Sequence, residues 1–345
     1  MKEEQTFWLS KEFVCFDDVH IVPQYSEVAS RYDGTTSDSF PGLDIPVFAS
    51  CMDTVTGIKM MRTMEQLGAG SILHRWMSPE EAVETVKKAE LLAPPNIAVG
   101  TIKKDEEKRR IDLLLENFTA PTLCVDVAHG HSPAVADTVK YIKDRRPDTF
   151  VIAGNVATAA GADYLVRAGA DALRVGVGGG SVCSTRIKTG CGLPTLGSII
   201  ECSKYMEEKA FLIADGGIKT PAHVAIAIAA GAHAVLLGGM LAGTDAVPNW
   251  TRPGDKIIYR GMASKEAREA YGKPVVMSEG VSRTVICKEE GSSARVVTSI
   301  QEGLLSAMGY VGACNMHEFQ HKALLARVST LTVQESSPHF RDGDL

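Results

Sequence analysis

The stretches GADYLVRAGADALRVGV, residues 161–177, and AHVAIAIAAGAHAVLLGG, residues 222–239, follow one plan. Apolar and small residues at helical spacing are stopped by a glycine, a small polar residue or histidine follows, and a short strand-like run ends in glycine again. Working outward, similar apolar runs recur at near-regular intervals: PVFAS near 46, GSILH near 70, NIAVG near 96, TLCVDV near 122, FVIA near 150, DALRV near 171, FLIA near 211 and AVLL near 234. Helical patterns separate most of them, such as Ala82, Val83, Val86 and Ala89, then Val135, Thr138, Val139 and Ile142. Eight strands alternating with helices predict the α/β class and a closed (β/α)8 TIM barrel, a single domain over 1–345 without inserted modules. A doubly wound open sheet is the competing fold, and it needs a reversal of strand order.

A barrel carries its chemistry on the loops after the C-terminal ends of its strands. Here those loops begin SCMDTVTG, HRWMS, GTI, AHGHS, GNVAT, GVGGGSVCSTR, DGGI and GGMLAG, so glycines and polar residues converge on one face. YRGMAS, 259–264, and SEGVSRTV, 278–285, follow, and the polar residues 336–345 read as a mobile tail.

The composition excludes other classes. The chain has 345 residues, 45% hydrophobic and 6% aromatic, with a formal net charge of −6, so neither nucleic acid nor an anionic membrane is an expected partner. Its eight cysteines are scattered with no CxxC pair, which suits a reducing compartment and argues against a zinc site. The N-terminal MKEEQTFWLSKEF lacks an apolar signal core, and the apolar region 222–243 is broken by His223, His233 and glycines. A cytoplasmic location without a membrane span is expected.

The chemistry concentrates in GVGGGSVCSTRIKTG, 176–190. A glycine run can bring backbone N–H and C=O groups close to an anion or a cation, and it delivers Cys183 beside Thr185 and Arg186. Glycine pairs in DGGI, 215–218, and LLGGM, 236–240, follow the seventh and eighth strands, where barrels commonly hold phosphate; Tyr259 of YRGMAS adds a hydroxyl. A thiolate opposite such a cradle can attack an electrophilic carbon of a phosphorylated ligand. Thr185 and Glu279 are candidates for moving the proton of the leaving group, with Glu279 also readable as a solvated surface carboxylate. Gly178, Gly180 and Cys183 offer backbone carbonyls to a monovalent cation, or form a loop without one. Asp126 and His129 after the fourth strand suit a ribose hydroxyl or base edge, although Asp126 also reads as a helix cap.

Together these motifs resemble the IMP dehydrogenase and GMP reductase family over roughly residues 13–335: PVFASCMDTVTG, TLCVDVAHGHS, VIAGNVAT, GVGGGSVCSTR, DGGI, LLGG and YRGMAS occur in that family's order. The resemblance implies that Cys183 adds to C2 of a purine nucleotide and that a nicotinamide cofactor exchanges hydride with that carbon. Dehydrogenases of the family usually carry two regulatory modules after the second strand and a long flap with an Arg-Tyr pair that activates water. In this sequence HRWMSPEEAVETV runs directly to the third strand, residues 265–278 are only 14 long, and Arg268 and Tyr271 are not adjacent. The resemblance is therefore to the GMP reductase side, an NADPH-dependent oxidoreductase of purine salvage, and Thr185 and Arg186 after the cysteine agree with it.

Matched by position, Cys183 is the nucleophile and Thr185 with Glu279 the proton relay. Ser181, Asp215, Gly216, Gly217, Gly238, Gly239, Tyr259, Gly261, Met262 and Ser264 hold the nucleotide. Asp126, Ala128 and His129 face the nicotinamide cofactor, and Gly178, Gly180, Cys183 and Arg186 match a potassium loop. Residues 265–285 form a short flap, and the family implies a homotetramer. Two positions depart from the reductase pattern: Val276 stands where an arginine often precedes the glutamate, and HRWMS, 74–78, is dehydrogenase-like. A compact IMP dehydrogenase, a catalytically inactive nucleotide-binding barrel and a flavin-dependent barrel are the alternatives.

Overall fold

In the computed structural model, which describes residues 8–206, 209–275, 277–329 and 331–336, all eight sequence-predicted barrel strands are present. In chain order the strands are β1 (Val19–Ile21), β2 (Val47–Ala49), β3 (Gly70–Leu73), β4 (Asn96–Val99), β5 (Thr122–Asp126), β6 (Val151–Val156), β7 (Ala172–Val175), β8 (Phe211–Asp215), β9 (Ala234–Leu237), β10 (Lys256–Arg260), β11 (Ser282–Ile286) and β12 (Leu325–Arg327). Strands β2 to β9 form a closed barrel in sequence order, and β9 pairs parallel with β2 through Val47↔Val235 and Phe48↔Leu236. No strand order reverses, so the open-sheet alternative is excluded.

The two opening stretches fold as read. Helices Ala159–Arg167 and Pro221–Ala229 start on N-caps Thr158 and Thr220, whose hydroxyls accept from Gly161 N and His223 N. The turns after them contain Gly169 at φ +105° and Gly231 at φ +103°. A Cβ on Gly231 would also lie 2.6 Å from that of Ser203, so glycine is required there on two counts.

Side-chain parity explains how the barrel builds a site. Phe48, Ile72, Ala98, Cys124, Ile152, Ala172, Ile213 and Leu236 form an inner apolar layer, closed at the N-terminal end by Phe40 against Phe48, Phe150 and Phe211. Strand side chains alternate with period two, so the next inward positions are Ser50, His74, Gly100, Asp126, Gly154, Arg174, Asp215 and Gly238. The floor is thus apolar and the layer above it polar. The alternate residues, such as Val47, Leu73, Val99, Val125 and Val175, belong to the larger core shared with the surrounding helices.

Two small sheets lie outside the barrel. β1 pairs antiparallel with β12, and β10 with β11. The long helix Ser292–Val311 packs on Pro221–Ala229. Among the described residues no helix is long and apolar enough to cross a membrane.

Candidate active site

A cavity of about 1310 Å³ opens above the polar layer. Its wall includes Gly176 to Cys183, Asp215 to Lys219, Gly238 to Met240, Tyr259, Gly261 to Ala263 and Glu279. Gly176 makes the turn into this wall possible: it has φ +142°, and a Cβ there would stand 2.1 Å from the Asp215 carbonyl oxygen.

Cys183 is half-buried at the end of the glycine run, and its thiol donates to Thr185 Oγ1 at 3.2 Å. Thr185 opens the short helix Thr185–Thr189 and donates in turn to Glu279 Oε2 at 2.8 Å. Two neighbouring residues and one 94 positions away thereby form one hydrogen-bonded line. Glu279 is delivered by the chain returning from β10 toward β11. Ser184 N donates to its carbonyl at 2.8 Å, Val281 N to Val182 O at 2.9 Å, and Gly261 N to Val281 O at 3.1 Å. Glu279 is therefore a site carboxylate held by backbone bonds on both sides.

Across the cavity, Ser181 and Tyr259 share a hydrogen bond of 3.2 Å. A Cβ on Gly238 would lie 2.8 Å from Tyr259 Oη, and one on Gly239 2.9 Å from Ser181 Oγ. Gly216 and Gly217 take φ values of +94° and +82°, and a Cβ on Gly216 would meet the Gly179 carbonyl carbon at 2.9 Å. Four loops thus converge as a neutral, donor-rich concavity fitted to an anion. Burial pushes the Tyr259 hydroxyl pKa up, partly opposed by the bond with Ser181, so the group stays a neutral phenol.

Beneath both lies an arginine that the motif reading missed. Arg174, 6% exposed, spans the polar layer: Nη1 donates to Asp126 Oδ1 at 2.5 Å and Nη2 to Asp215 Oδ2 at 2.8 Å. Asn155 also donates to Asp215 Oδ2, at 2.6 Å. Among the described residues nothing donates to Asp215 Oδ1, which leaves that oxygen for a ligand hydroxyl. Burial acts to raise the Asp126 carboxyl pKa, but Arg174 and Arg75 more than offset it and hold the group below the usual carboxylate value. Cys51 and Cys124, 3.5 and 3.7 Å from Arg174 Nη1, are buried thiols. Burial drives Cys51 far up and Cys124 up to about 11, so neither supplies a thiolate near neutral pH.

The remaining expected residues divide. Ala128, Gly178, Gly180, Gly261 and Met262 line the cavity. His129 does not; its exposed ring lies 6.4 Å from that of His131. Ser264 is fully buried, and its hydroxyl accepts from Ala267 N at 3.1 Å, capping helix Lys265–Ala270. Arg186 braces the cysteine loop, donating to Val177 O at 2.9 Å and to Leu193 O, while its own carbonyl accepts from Gly190 N. Among the described residues the carbonyls of Gly178 and Cys183 accept no hydrogen bond, so both are available to a cation. In the flap, Tyr271 donates to Asp53 at 3.1 Å while Arg268 donates to Pro274 O at 3.2 Å, so the two do not act as a pair. Val276 lies outside the described residues, as does all of the expected tail except Ser336.

Comparison with known proteins gives a consistent result. Residues 13–339 match the model of the IMP dehydrogenase / GMP reductase domain. GMP reductase of Lactobacillus delbrueckii subsp. bulgaricus is 36% identical over 326 residues, covering 91% of this chain and 94% of that protein. Inosine-5'-monophosphate dehydrogenase of Aquifex aeolicus is 42% identical over 260 residues, covering 70% of this chain but only 51% of that protein, so the alignment takes in about half of that relative's length. The crystal structure of a GMP reductase variant from Trypanosoma brucei in complex with guanosine 5'-monophosphate superposes with a TM-score of 0.86 at 26% identity, covering 99% of this chain and 100% of that one. With its barrel, its cysteine loop and a matching domain over nearly its whole length, the chain belongs to the IMP dehydrogenase / GMP reductase family of oxidoreductases.

Proposed function

We propose that this protein is a GMP reductase, converting GMP to IMP and ammonia with NADPH as the hydride donor in purine salvage. The observation that carries the reading is the line from Cys183 Sγ through Thr185 Oγ1 to Glu279 Oε2, with no Arg-Tyr pair beside it among the described residues. The line moves a proton away from sulfur and back toward a leaving amine, and a reductase needs no activated water.

Asp215 and the Ser181, Gly216, Gly217, Gly238, Gly239 and Tyr259 concavity hold the ribose and phosphate, and Gly261 and Met262 bound the base. Cys183 adds through sulfur to C2 of guanine, and its proton passes by Thr185 to Glu279. The same line protonates the exocyclic amine as the C2–N bond breaks, releasing ammonia and leaving C2 bonded to Cys183. NADPH, when bound on the Asp126 and Ala128 side, supplies hydride to C2. The S–C2 bond then breaks, giving IMP, and the thiolate takes up a proton. The net change is GMP, NADPH and a proton to IMP, ammonia and NADP⁺. The open carbonyls of Gly178 and Cys183 would hold a potassium ion that stiffens the cysteine loop. The scattered free cysteines suit the cytoplasm, and the family resemblance supports a homotetramer.

Parallel assays with GMP plus NADPH and with IMP plus NAD test the assignment. Turnover confined to the first pair is expected; NADH formation from IMP would instead make the chain a compact dehydrogenase.

A further inference from the structure

Six cationic side chains line the cavity: Arg75, Arg174, Lys219, Arg268, Arg283 and Lys288. Arg75 and Arg174 are paired with carboxylates of the site, and Lys219 with Asp17. Arg268, Arg283 and Lys288 form no ion pair among the described residues, and there the Arg283 guanidinium makes no hydrogen bond either. An uncompensated guanidinium on the wall of a cavity calls for an anionic ligand.

Its position says which anion. In the β10–β11 hairpin Arg283 stands directly opposite Tyr259, and side chains so paired lie on one face with Cβ atoms about 5 Å apart. Tyr259, Arg283 and Val285 of that face all line the cavity, with Tyr259 buried and Arg283 exposed at the rim. Tyr259 Oη meets Ser181 Oγ at 3.2 Å beside the Gly238–Gly239 pair, where every donor is neutral. Farther along, Lys288 Nζ donates to the carbonyl of Met240, the residue after that pair, at 3.2 Å. Partial desolvation of its ammonium lowers the Lys288 pKa.

We propose that Arg283 is a phosphate-binding residue, closing over the 5'-phosphate of the purine nucleotide from the hairpin side and giving an otherwise neutral cradle its selectivity for nucleotide over nucleoside. This rests on the purine-nucleotide reading above. The full-length protein, Arg283→Ala and Arg283→Lys are titrated calorimetrically with GMP, guanosine, NADPH and inorganic phosphate. Loss of a charge-assisted bond weakens GMP and phosphate about 10- to 100-fold in Arg283→Ala, leaves guanosine unchanged, and is partly restored in Arg283→Lys. Equal loss for GMP and guanosine, no loss for either, or a loss confined to NADPH would overturn the assignment while leaving the reductase reading intact. If the wild type fails to turn over GMP yet binds phosphate in an Arg283-dependent way, the reductase reading fails and the phosphate site stands.

Discussion

At the scale of single residues the site separates chemistry from support. Thr185→Ala and Glu279→Gln interrupt the proton line without touching the phosphate cradle, so kcat should fall about 10²- to 10⁴-fold while GMP affinity stays within a few-fold, as steady-state kinetics and calorimetry would show. Arg174 belongs to the support. Replacing it with methionine strips the partly buried Asp215 of its ion-pair partner and leaves Asp126 with Arg75 alone, at a cost of about 3 kcal/mol in chemical denaturation at neutral pH. The Asp126 carboxyl is held below its ordinary 3.8, so its contribution is present above that pH and is lost as pH falls through the lowered value. The deficit of Arg174→Met should accordingly shrink in acid, and a deficit independent of pH would contradict the pairing. Cys183 and Thr185 stand out in the sequence because a thiol and a hydroxyl close a glycine run, whereas Glu279 reads as readily as a solvated surface carboxylate and only the family resemblance joins it to them. Arg174 was hidden inside the apolar run DALRV, although a charge at an inward strand position must find partners.

Among the elements, the hairpin β10–β11 and the helix Lys265–Ala270 between its strands decide where Glu279 sits. Gly280 is the close contact: a Cβ there would meet Ser264 N at 2.9 Å and the Ala263 carbonyl carbon at 3.3 Å, both backbone atoms that cannot swing aside. Gly280→Ala should displace Glu279 from Thr185 and lower kcat by about 10²-fold, with a melting temperature close to wild type because the hairpin lies outside the barrel core. A variant with full activity would show that the hairpin has slack. Every barrel strand could be read from a short apolar run set between helical patterns. The hairpin could not, because its strands are separated by 21 residues and a helix, and no two-residue turn announces it. The sequence order of the loops likewise does not fix side-chain direction. Ser264, expected at the nucleotide, is a serine immediately before a helix and serves as its cap; His129 is exposed and outside the cavity lining although Ala128 belongs to it.

At the scale of the whole molecule, the apolar floor and the polar layer above it follow from one parity rule applied around eight strands, and that rule also buries His74. Burial lowers His74 and His233 to about 4, so both are neutral in the folded protein. Their folded values lie below the ordinary 6.5; the stability they confer is complete above 6.5 and is lost as pH falls toward 4, by up to about 3 kcal/mol each. Urea midpoints should therefore drop steeply between those limits, and a flat profile would contradict their burial as neutral imidazoles. The central claim is that this barrel uses Cys183 and its proton line to remove ammonia before hydride arrives. The most direct test follows NADPH absorbance and ammonia together in one reaction with GMP and potassium, for wild type and Cys183→Ala. One ammonia released for each NADPH consumed, with both abolished in the variant, is the predicted result; NADPH oxidation without ammonia, or turnover surviving in Cys183→Ala, would contradict it.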